Sequence, residues 1–252
     1  MSDLGTHVEG ILNAGSSEEA FQKFFAAVQG YGYNNACFTL ITDHPSIDQS
    51  AMHGFTTNYP EDWMKFYGEE GYFDIDPVVY FLTKKWAPFY WDEATRTKVA
   101  DEGVAPLVRD RVVTMMHLAA DAGLADGVGI PFVSRSGEVS GIGLSRAEPI
   151  KDQNYSELAE LNLLATVFQE RFLSFHKNDA IPILTGRERE VLCWAVEGKT
   201  DLEISDQLAV SEAAVRFHWS NIFKKLEVSN RMMATTKAMR LNLISLQRST
   251  VL

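Results

Sequence analysis

The chain has 252 residues, of which 46% are hydrophobic and 23% charged, a balance that fits a folded globular protein and excludes a disordered chain, a collagen-like repeat and a coiled-coil rod. Acidic residues outnumber basic residues by 34 to 23, and the net charge of −11 argues at first against a nucleic-acid partner. Two cysteines, Cys37 and Cys193, are too few for a disulfide framework or a multi-thiolate metal site. The first residues lack a signal-peptide pattern, and no apolar run approaches the roughly 18 residues of a membrane span. We therefore expect a cytoplasmic protein with neither a metal nor a membrane partner.

Residues 1–173 are predicted to form one domain in which helices and strands intermix. Apolar residues at helical spacing predict helices over residues 17–30, 105–123 and 155–175. Short β-branched and aromatic runs predict strands over residues 36–42, 51–55, 88–91, 128–133 and 139–144. The last two strands are expected to form a hairpin around Ser136 and Gly137. Five short strands flanked by helices predict an α+β fold, with an α/β/α sandwich built on a five-stranded antiparallel sheet.

The charge is unevenly divided along the chain. Residues 174–183 are predicted to form a linker, and residues 184–252 a second domain that contains only helices. Residues 1–177 carry 13 basic and 25 acidic side chains, whereas residues 178–252 carry 10 and 9. Within residues 216–240, six basic side chains face a single acidic one. Such asymmetry indicates a nucleic-acid-binding module attached to an acidic body, with an ordinary solvated helix face as the alternative.

Helix-start signals are clear in the second domain. Thr185 and Glu188 have the spacing of a capping box that opens its first helix. A second capping box begins at Thr200, and Ser211 is expected to cap a third helix. A fourth helix is predicted over residues 230–243. Two helices joined by a tight turn within this four-helix domain indicate a helix-turn-helix.

The third helix of this domain is predicted to enter the major groove of DNA, where its exposed residues would meet base edges. Arg216 is the strongest candidate because its planar guanidinium can contact guanine at two atoms, although a solvated surface position is the alternative. Lys224, Lys225 and Arg231 are better placed to contact phosphates. The helix is expected to bury Val215, His218, Ile222 and Leu226. The residues predicted to contact DNA are Thr200, Ser211, Glu212, Ala213, Arg216, Phe217, Ser220, Lys224, Lys225 and Arg231.

Residues 184–234 resemble the DNA-binding domain of LuxR-type transcriptional regulators, with which they share LT-REREVL, GKT, AV-H-NI-KKL and VSNR. In that family Glu188, Leu192 and Gly198 belong to a nearly fixed framework, which matches their expected roles as cap, core residue and helix stop. Ala214 stands where many members have threonine. The resemblance implies a homodimer that binds double-stranded promoter DNA at two-fold-related half-sites.

The first domain contains a pattern of aromatic residues with polar tips. If Pro60 opens a helix, Tyr59 lies at its start, and Trp63 and Tyr67 follow along one face. Asp76 precedes a proline and is expected to be extended, while Trp91 is expected to end a strand on the far side. An apolar cavity with these groups suits a ligand that has an apolar tail and a polar head. The alternative is plain core packing, with an internal amide or hydroxyl as the donor to the carboxylate.

The motifs NYP-x-x-W-x-x-x-Y-x-x-x-GY-x-x-x-DP, FYW and GVGIPF resemble the autoinducer-binding domain of acyl-homoserine-lactone receptors. The resemblance implies that Trp63 donates its indole N–H to the lactone carbonyl and that Asp76 accepts the amide N–H of the ligand. Tyr59 would hydrogen-bond the acyl carbonyl, and Tyr67 and Trp91 would wall the acyl chain and ring. Gly127 matches the glycine of the family that precedes the Ile-Pro step. The bound signal is the only small molecule implied, without a further cofactor.

Two positions depart from the receptor pattern. Val78 follows the DP motif where some members have threonine, and Gly143 stands where several have serine or threonine. Together with Gly141, this strand is expected to offer no hydroxyl to the ligand. The missing bulk predicts room for a longer or bulkier acyl group.

Other functions remain open from the residues alone. The segment Gly143-Leu-Ser145-Arg-Ala147 is one residue short of the nucleophile elbow of hydrolases, but it ends a hairpin strand and no capped helix follows immediately. We therefore expect neither a lactone hydrolase nor any catalytic residue. A regulator of the same architecture that responds to another small molecule, or binds DNA without a ligand, is the remaining alternative.

Overall fold

The computed structural model describes residues 4–134, 137–176, 182–241 and 243–244. The chain divides into two compact units, one of residues 1–134 and 138–177 and the other mainly of residues 178–252. Part of the predicted linker, residues 177–181, lies outside the described residues. Within the described residues, no helix is long and apolar enough to cross a membrane.

The first unit contains helices on both sides of one sheet. Its helices are α1 (Leu4–Leu12), α2 (Ser17–Gln29), α3 (Glu61–Glu69), α4 (Pro77–Leu82), α5 (Trp91–Ala100), α6 (Pro106–Asp121) and α7 (Tyr155–Ser174). Its strands are β1 (Asn35–Leu40), β2 (Met52–Thr57), β3 (Phe89–Tyr90), β4 (Asp126–Val133) and β5 (Val139–Arg146). The order is β2-β1-β5-β4-β3 with every neighbouring pair antiparallel, which confirms the predicted five-stranded antiparallel sheet.

Alternation along the strands supplies two apolar cores, one on each face of the sheet. Phe38 of β1 and Ile142 of β5 belong to the core beneath α1, α2 and α7, where Phe24 and Phe168 stack with ring centroids 4.6 Å apart. Residues on the opposite face belong to a second core that includes side chains of α3 to α6. The second core holds the aromatic residues of the predicted ligand site.

Some predicted elements of the first unit differ from the observed ones. Trp91 was expected to end a strand, but β3 stops at Tyr90 and Trp91 is the first residue of α5. Strand β5 extends to Arg146, two residues beyond its predicted end. Ser136, one of the two residues of the predicted hairpin turn, lies outside the described residues, whereas Gly137 adopts φ +83°.

The second unit contains α8 (Gly186–Val196), α9 (Asp201–Leu208), α10 (Glu212–Leu226) and α11 (Arg231–Arg240). Both predicted capping boxes are present, at Thr185 with Glu188 and at Thr200 with Glu203. Asn230 caps α11, the fourth predicted helix, whose observed end at Arg240 is three residues short of the expected one. These short-range signals need only the side chain three residues ahead, which explains why they can be recognised from sequence.

One predicted core position of α10 is wrong. Trp219 is buried and His218 is only half-buried, because the buried face of the helix runs through Val215, Trp219, Ile222 and Leu226. The indole N–H of Trp219 donates to Asp201 Oδ1 at 3.0 Å. The buried tryptophan thereby links α10 to the start of α9.

Candidate functional site

A buried cavity lies in the second core, between the sheet and helices α3 to α6. Most of the residues predicted to bind the ligand line it, namely Tyr59, Trp63, Tyr67, Asp76, Val78, Trp91 and Gly143. Apolar side chains from α4 and α6 form much of the remaining wall, including Leu82, Met115 and Ala119. The structure thus brings together residues that are up to 84 positions apart in the sequence.

Helix α3 positions two of these aromatic residues as predicted. Pro60 occupies the N-cap position, and Trp63 and Tyr67 are the buried residues of the helix, one turn apart. They are 7% and 3% exposed, and their ring centroids are 6.0 Å apart. The opposite face of α3 is exposed and charged, so burial fixes which side of the helix faces the cavity.

Asp76 has a local partner that the predicted extended conformation did not include. It is the N-cap of α4, and its Oδ1 accepts hydrogen bonds from the amides of Val78 at 2.7 Å and Val79 at 3.3 Å. Its Oδ2 accepts a hydrogen bond from the Tyr67 hydroxyl at 2.9 Å. The internal donors considered as an alternative therefore exist, but a carboxylate oxygen can accept a further hydrogen bond from a ligand.

The environment of Asp76 disfavours its charge. Burial raises the pKa of this carboxyl, while the nearby His53, the Tyr67 hydroxyl and the two helix amides oppose that rise. Burial also raises the pKa of Tyr67 well above its usual range, with the charge of Asp76 adding to the effect. The phenol therefore remains a hydrogen-bond donor to the carboxylate.

Two glycines make room for Trp91. A Cβ atom on Gly127 would lie 2.9 Å from Cε2 of the indole, so this predicted site residue acts behind the ring and does not line the cavity. A Cβ atom on Gly143 would lie 3.0 Å from the Tyr59 hydroxyl and 3.5 Å from Cζ2 of the indole. The indole Nε1 is buried and has no hydrogen-bond partner among the described residues.

Strand β5 carries a buried hydroxyl, that of Ser145, but this residue does not line the cavity, so the expectation that the strand offers no hydroxyl to the ligand stays a prediction. Ser145 follows Gly143 by two residues on the strand and therefore points to the same face of the sheet. It is fully buried. Burial raises the pKa of Tyr59 well above its usual range. The Ser145 Oγ atom is buried and has no hydrogen-bond partner among the described residues.

Sequence reasoning also missed three polar residues of the cavity. Cys37 and Thr39 lie two positions apart on β1, and His53 lies on the neighbouring strand β2. The alternation of β1 would have placed Cys37 and Thr39 on one face. The orientation of His53 depends on an irregular pairing of β1 with β2, which no local pattern reveals. Among the described residues, no group of three or more His, Cys, Asp and Glu side chains is arranged to hold a metal ion.

The predicted DNA-contacting residues lie on α9, α10 and α11 or at their starts. Ala213, Arg216, Phe217, Ser220 and Lys224 are exposed along α10, and Phe217 is 63% exposed despite being apolar. Thr200 and Ser211 are exposed N-caps. Glu212 is half-buried, and its carboxylate lies 3.0 Å from the Arg216 guanidinium in an ion pair along the helix.

Two of the predicted phosphate contacts have partners within their own unit. Lys225 Nζ lies 2.7 Å from Oε2 of Glu188, a carboxylate that is only 2% exposed. The Arg231 guanidinium lies 3.1 Å from Oδ1 of Asp201 and stacks 5.2 Å from the ring centroid of Trp219. These cations therefore also hold the helices together, whereas Lys224 is exposed to solvent.

Two protein families match the two parts of the chain. Residues 16–172 match the family described as an autoinducer binding domain, and residues 182–238 match the bacterial regulatory proteins of the luxR family. The chain belongs to the LuxR family of autoinducer-binding regulators. The predicted combination of a small-molecule-binding domain with a C-terminal helix-turn-helix DNA-binding domain is thereby confirmed.

Several LuxR-family relatives are similar over most of their length. The transcriptional activator SolR of Ralstonia nicotianae is 31% identical over 238 residues, which cover 92% of this chain and 94% of SolR. The transcriptional activator VanR of Vibrio anguillarum is 35% identical over 189 residues, which cover 73% of this chain and 74% of VanR. Both names describe activators of transcription.

The fold is also shared with a solved structure. The crystal structure of Escherichia coli SdiA superposes with a TM-score of 0.74 at 22% sequence identity, covering 97% of this chain and 98% of SdiA. At this identity the likeness shows the fold alone. It agrees with the sheet and helix-turn-helix described above.

Proposed function

We propose that this LuxR-family protein is a transcription factor whose binding to promoter DNA is controlled by an N-acyl-homoserine lactone held in the buried cavity. The observation that carries the proposal is the convergence of three polar tips on one apolar cavity. Tyr59, Trp63 and Asp76, each of which carries one polar group, all line it. A few placed polar groups in an apolar wall match a ligand with a polar head and an apolar tail.

Each polar group has a chemical role in this proposal. The Trp63 indole N–H can only donate, and we assign it to the lactone carbonyl. The Asp76 carboxylate accepts the amide N–H of the ligand, and the Tyr59 hydroxyl donates to the acyl carbonyl. Tyr67 holds Asp76 in place through its 2.9 Å hydrogen bond. The wall around the ring and chain comes from Val78, Trp91 and Gly143, with Gly127 supporting Trp91 from behind.

The assignment of DNA contacts rests on the exposed face of α10. We assign base reading to Arg216, with Glu212, Ala213, Phe217 and Ser220 as its neighbours on the groove side. Phosphate contacts fall to Lys224 and, in addition to their ion pairs, to Lys225 and Arg231. Thr200 and Ser211 present exposed hydroxyls at the helix starts. We expect a homodimer, because helix-turn-helix proteins read two half-sites with two copies. We also expect the protein to act in the cytoplasm.

We assign no catalytic activity to this chain. Ser145, the serine of the partial hydrolase motif, is fully buried beside Tyr59, whose raised pKa keeps it protonated. A protonated phenol cannot act as the general base that a serine nucleophile needs. Incubating the protein with acyl-homoserine lactones and assaying ring opening tests this directly, and turnover would contradict it.

The control of DNA binding is testable with the full chain. DNA sites are first selected from a random pool in the presence of mixed acyl-homoserine lactones, and fluorescence anisotropy then measures binding with and without each lactone. We expect at least one lactone to change the apparent affinity, because a ligand that binds the folded sensor shifts its equilibria by mass action. DNA binding that no lactone alters would favour a regulator that responds to another molecule or to none.

A further inference from the structure

A second group of polar side chains lines the cavity on its sheet side, apart from the groups assigned to the ligand head. Cys37, Thr39 and His53 all face the cavity. The Thr39 hydroxyl lies 3.0 Å from His53 Nδ1, and Cys37 Sγ lies 3.6 Å from the same hydroxyl. Cys37 and Thr39 are 2% and 3% exposed. Three hydrogen-bonding side chains in the wall of an apolar cavity need a partner that offsets their burial.

In β2, the side chains of His53 and Phe55 lie on opposite faces of the sheet. In a regular strand, residues two apart share a face. Here His53 faces the cavity, while Phe55 packs against Phe38 and Phe172 in the other core. Gly54 between them has φ +69°, and the pairing of β1 with β2 shifts at this point. Such bulges re-aim side chains next to binding sites.

The hydrogen bonds within this group leave capacity for a ligand. If the Thr39 hydroxyl donates to Nδ1, the imidazole proton lies on Nε2, whose partner is the Cys37 thiol at a distant 3.9 Å. If Nδ1–H donates to Thr39 instead, the threonine hydroxyl can donate its own hydrogen to another group, and Nε2 becomes an acceptor. Burial raises the pKa of Cys37 to about 11, so this partner remains a thiol, which is a weak hydrogen-bonding group.

This group adjoins the head-group anchors without including any of them. The imidazole of His53 stacks on the ring of Tyr67, with centroids 4.5 Å apart, and the Tyr67 hydroxyl in turn binds Asp76. His53 and Tyr67 also line an outer cleft with Met52 and Phe73. The stacked pair therefore forms the wall between the cavity and that cleft. Burial lowers the pKa of His53 although the charge of Asp76 opposes it, so the buried position favours the neutral imidazole.

We propose that Thr39 and His53 form a tail subsite that binds a hydroxyl group on the acyl tail of the ligand. This proposal rests on the proposed function, because it takes the ligand to be an N-acyl-homoserine lactone. A hydroxyl matches the subsite since it both donates and accepts, and so pairs with either tautomer of His53. An unsubstituted alkyl tail would leave the hydrogen-bonding capacity not used between Thr39 and His53 with only the weak Cys37 thiol.

The test compares decanoyl-homoserine lactone with a series in which one hydroxyl is placed at successive tail carbons. Calorimetric titration of the full chain should show that one hydroxylated compound binds about five-fold more tightly than the unsubstituted one. Thr39→Val and His53→Phe should remove this preference, measured within each variant as the ratio of its affinities for the hydroxylated and the unsubstituted lactone. Thr56→Val is the matched control, because Thr56 lies on the same strand as His53, pairs with Phe38 and does not line the cavity.

The outcomes separate the two proposals. Lactones that bind without any preference for a hydroxyl would overturn the tail subsite alone. Failure of every lactone to bind would overturn the proposed function and the subsite with it. The preference for a hydroxylated lactone is measured first on the parent protein, which carries no substitution. The test therefore still decides the proposal if a variant fails to fold. In addition, ¹⁵N NMR of the His53 ring should change with the preferred hydroxylated ligand more than with the unsubstituted one, and equal spectra would contradict the contact.

Discussion

The Tyr67 hydroxyl donates a hydrogen bond of 2.9 Å to Oδ2 of Asp76, whose other oxygen caps α4. The autoinducer-binding domain thus buries an aspartate that serves two purposes, since the same residue caps a helix and lines the ligand cavity. Burying a charge costs free energy unless it is paired and hydrogen-bonded. A ligand amide would add a third kind of donor to this carboxylate.

Asp76→Asn should separate the stability of the sensor domain from its function. Burial raises the pKa of Asp76, so the charged form costs stability above its ordinary pKa, and this cost disappears as the pH falls towards 4. The amide still caps α4 without that charge. We expect the ligand-free variant to be at least as stable as the parent in urea at pH 7, with the difference shrinking in acid. Lactone affinity should fall roughly tenfold or more, as expected for a charge-assisted hydrogen bond. A variant that is less stable at every pH would contradict this explanation.

Trp63→Phe tests the indole N–H that we assign to the lactone carbonyl. The ring is retained, so the fold should persist while lactone affinity drops about five- to tenfold through the lost hydrogen bond. Fluorescence or calorimetric titration measures the loss. Trp86→Phe serves as the matched control, because Trp86 is 84% exposed and does not line the cavity. Equal affinities for Trp63→Phe and the parent would remove Trp63 from the site.

Gly143→Ala should narrow the cavity between two assigned ligand contacts. The added Cβ would lie 3.0 Å from the Tyr59 hydroxyl, closer than ordinary packing allows. We expect lactones with bulky or long acyl groups to lose more affinity than short ones. Titration of a chain-length series against both proteins measures this. A uniform loss across the series would indicate that Gly143 does not limit the size of the acyl group.

Arg216→Ala and Lys224→Ala should affect DNA binding in different ways. Loss of Arg216 removes a base contact and should reduce discrimination between selected and scrambled sites, by roughly 1–3 kcal/mol. Loss of Lys224 removes a phosphate contact, so binding should weaken alike on all sequences, and the slope of log affinity against log salt should fall by about 0.9 per protomer. Anisotropy titrations at several salt concentrations distinguish the two. Unchanged discrimination after Arg216→Ala would move base reading to other residues of α10.

Lys225→Met should destabilise the DNA-binding domain. Burial alone would raise the pKa of Glu188, but hydrogen bonds from Lys225 and the Thr185 amide lower it overall. The pair therefore contributes stability at neutral pH that is lost as the pH falls through the lowered pKa. Removing Lys225 leaves the buried carboxylate without its charged partner, although the Thr185 amide still donates to it, and should cost about 2–3 kcal/mol. Arg187→Met, which breaks an exposed pair with Glu190, should cost under about 1 kcal/mol. Hydrogen exchange of the α8 amides measures the loss of stability in each variant. Equal losses in Lys225→Met and Arg187→Met would contradict the structural role of Lys225.

The local features of this protein could be predicted from the sequence, because their causes lie within one helical turn. The capping boxes at Thr185 and Thr200 are examples, as is the face of α3 that carries Trp63 and Tyr67. Asp76 before a proline also has the sequence of a helix N-cap followed by its first residue, but its extended backbone was the only part anticipated.

The remaining errors involve long-range packing. His53 reaches the cavity beside a strand bulge whose register depends on β1. The predicted end of β5 was two residues short because pairing with β1 and β4 sets where the strand stops. His218 and Trp219 are adjacent, and only the packing of α10 on its neighbours decides which one is buried. In each case the deciding residue lies on another element.

The proposed control by an acyl-homoserine lactone is tested most directly by identifying what the cavity retains. The full chain is produced in cells supplied with a mixture of acyl-homoserine lactones, purified, extracted and analysed by mass spectrometry, in parallel with Asp76→Asn. We expect the parent protein to retain one lactone at about one molecule per chain and the variant to retain far less. A parent protein that retains no lactone, or a variant that retains as much, would contradict the assignment of this cavity.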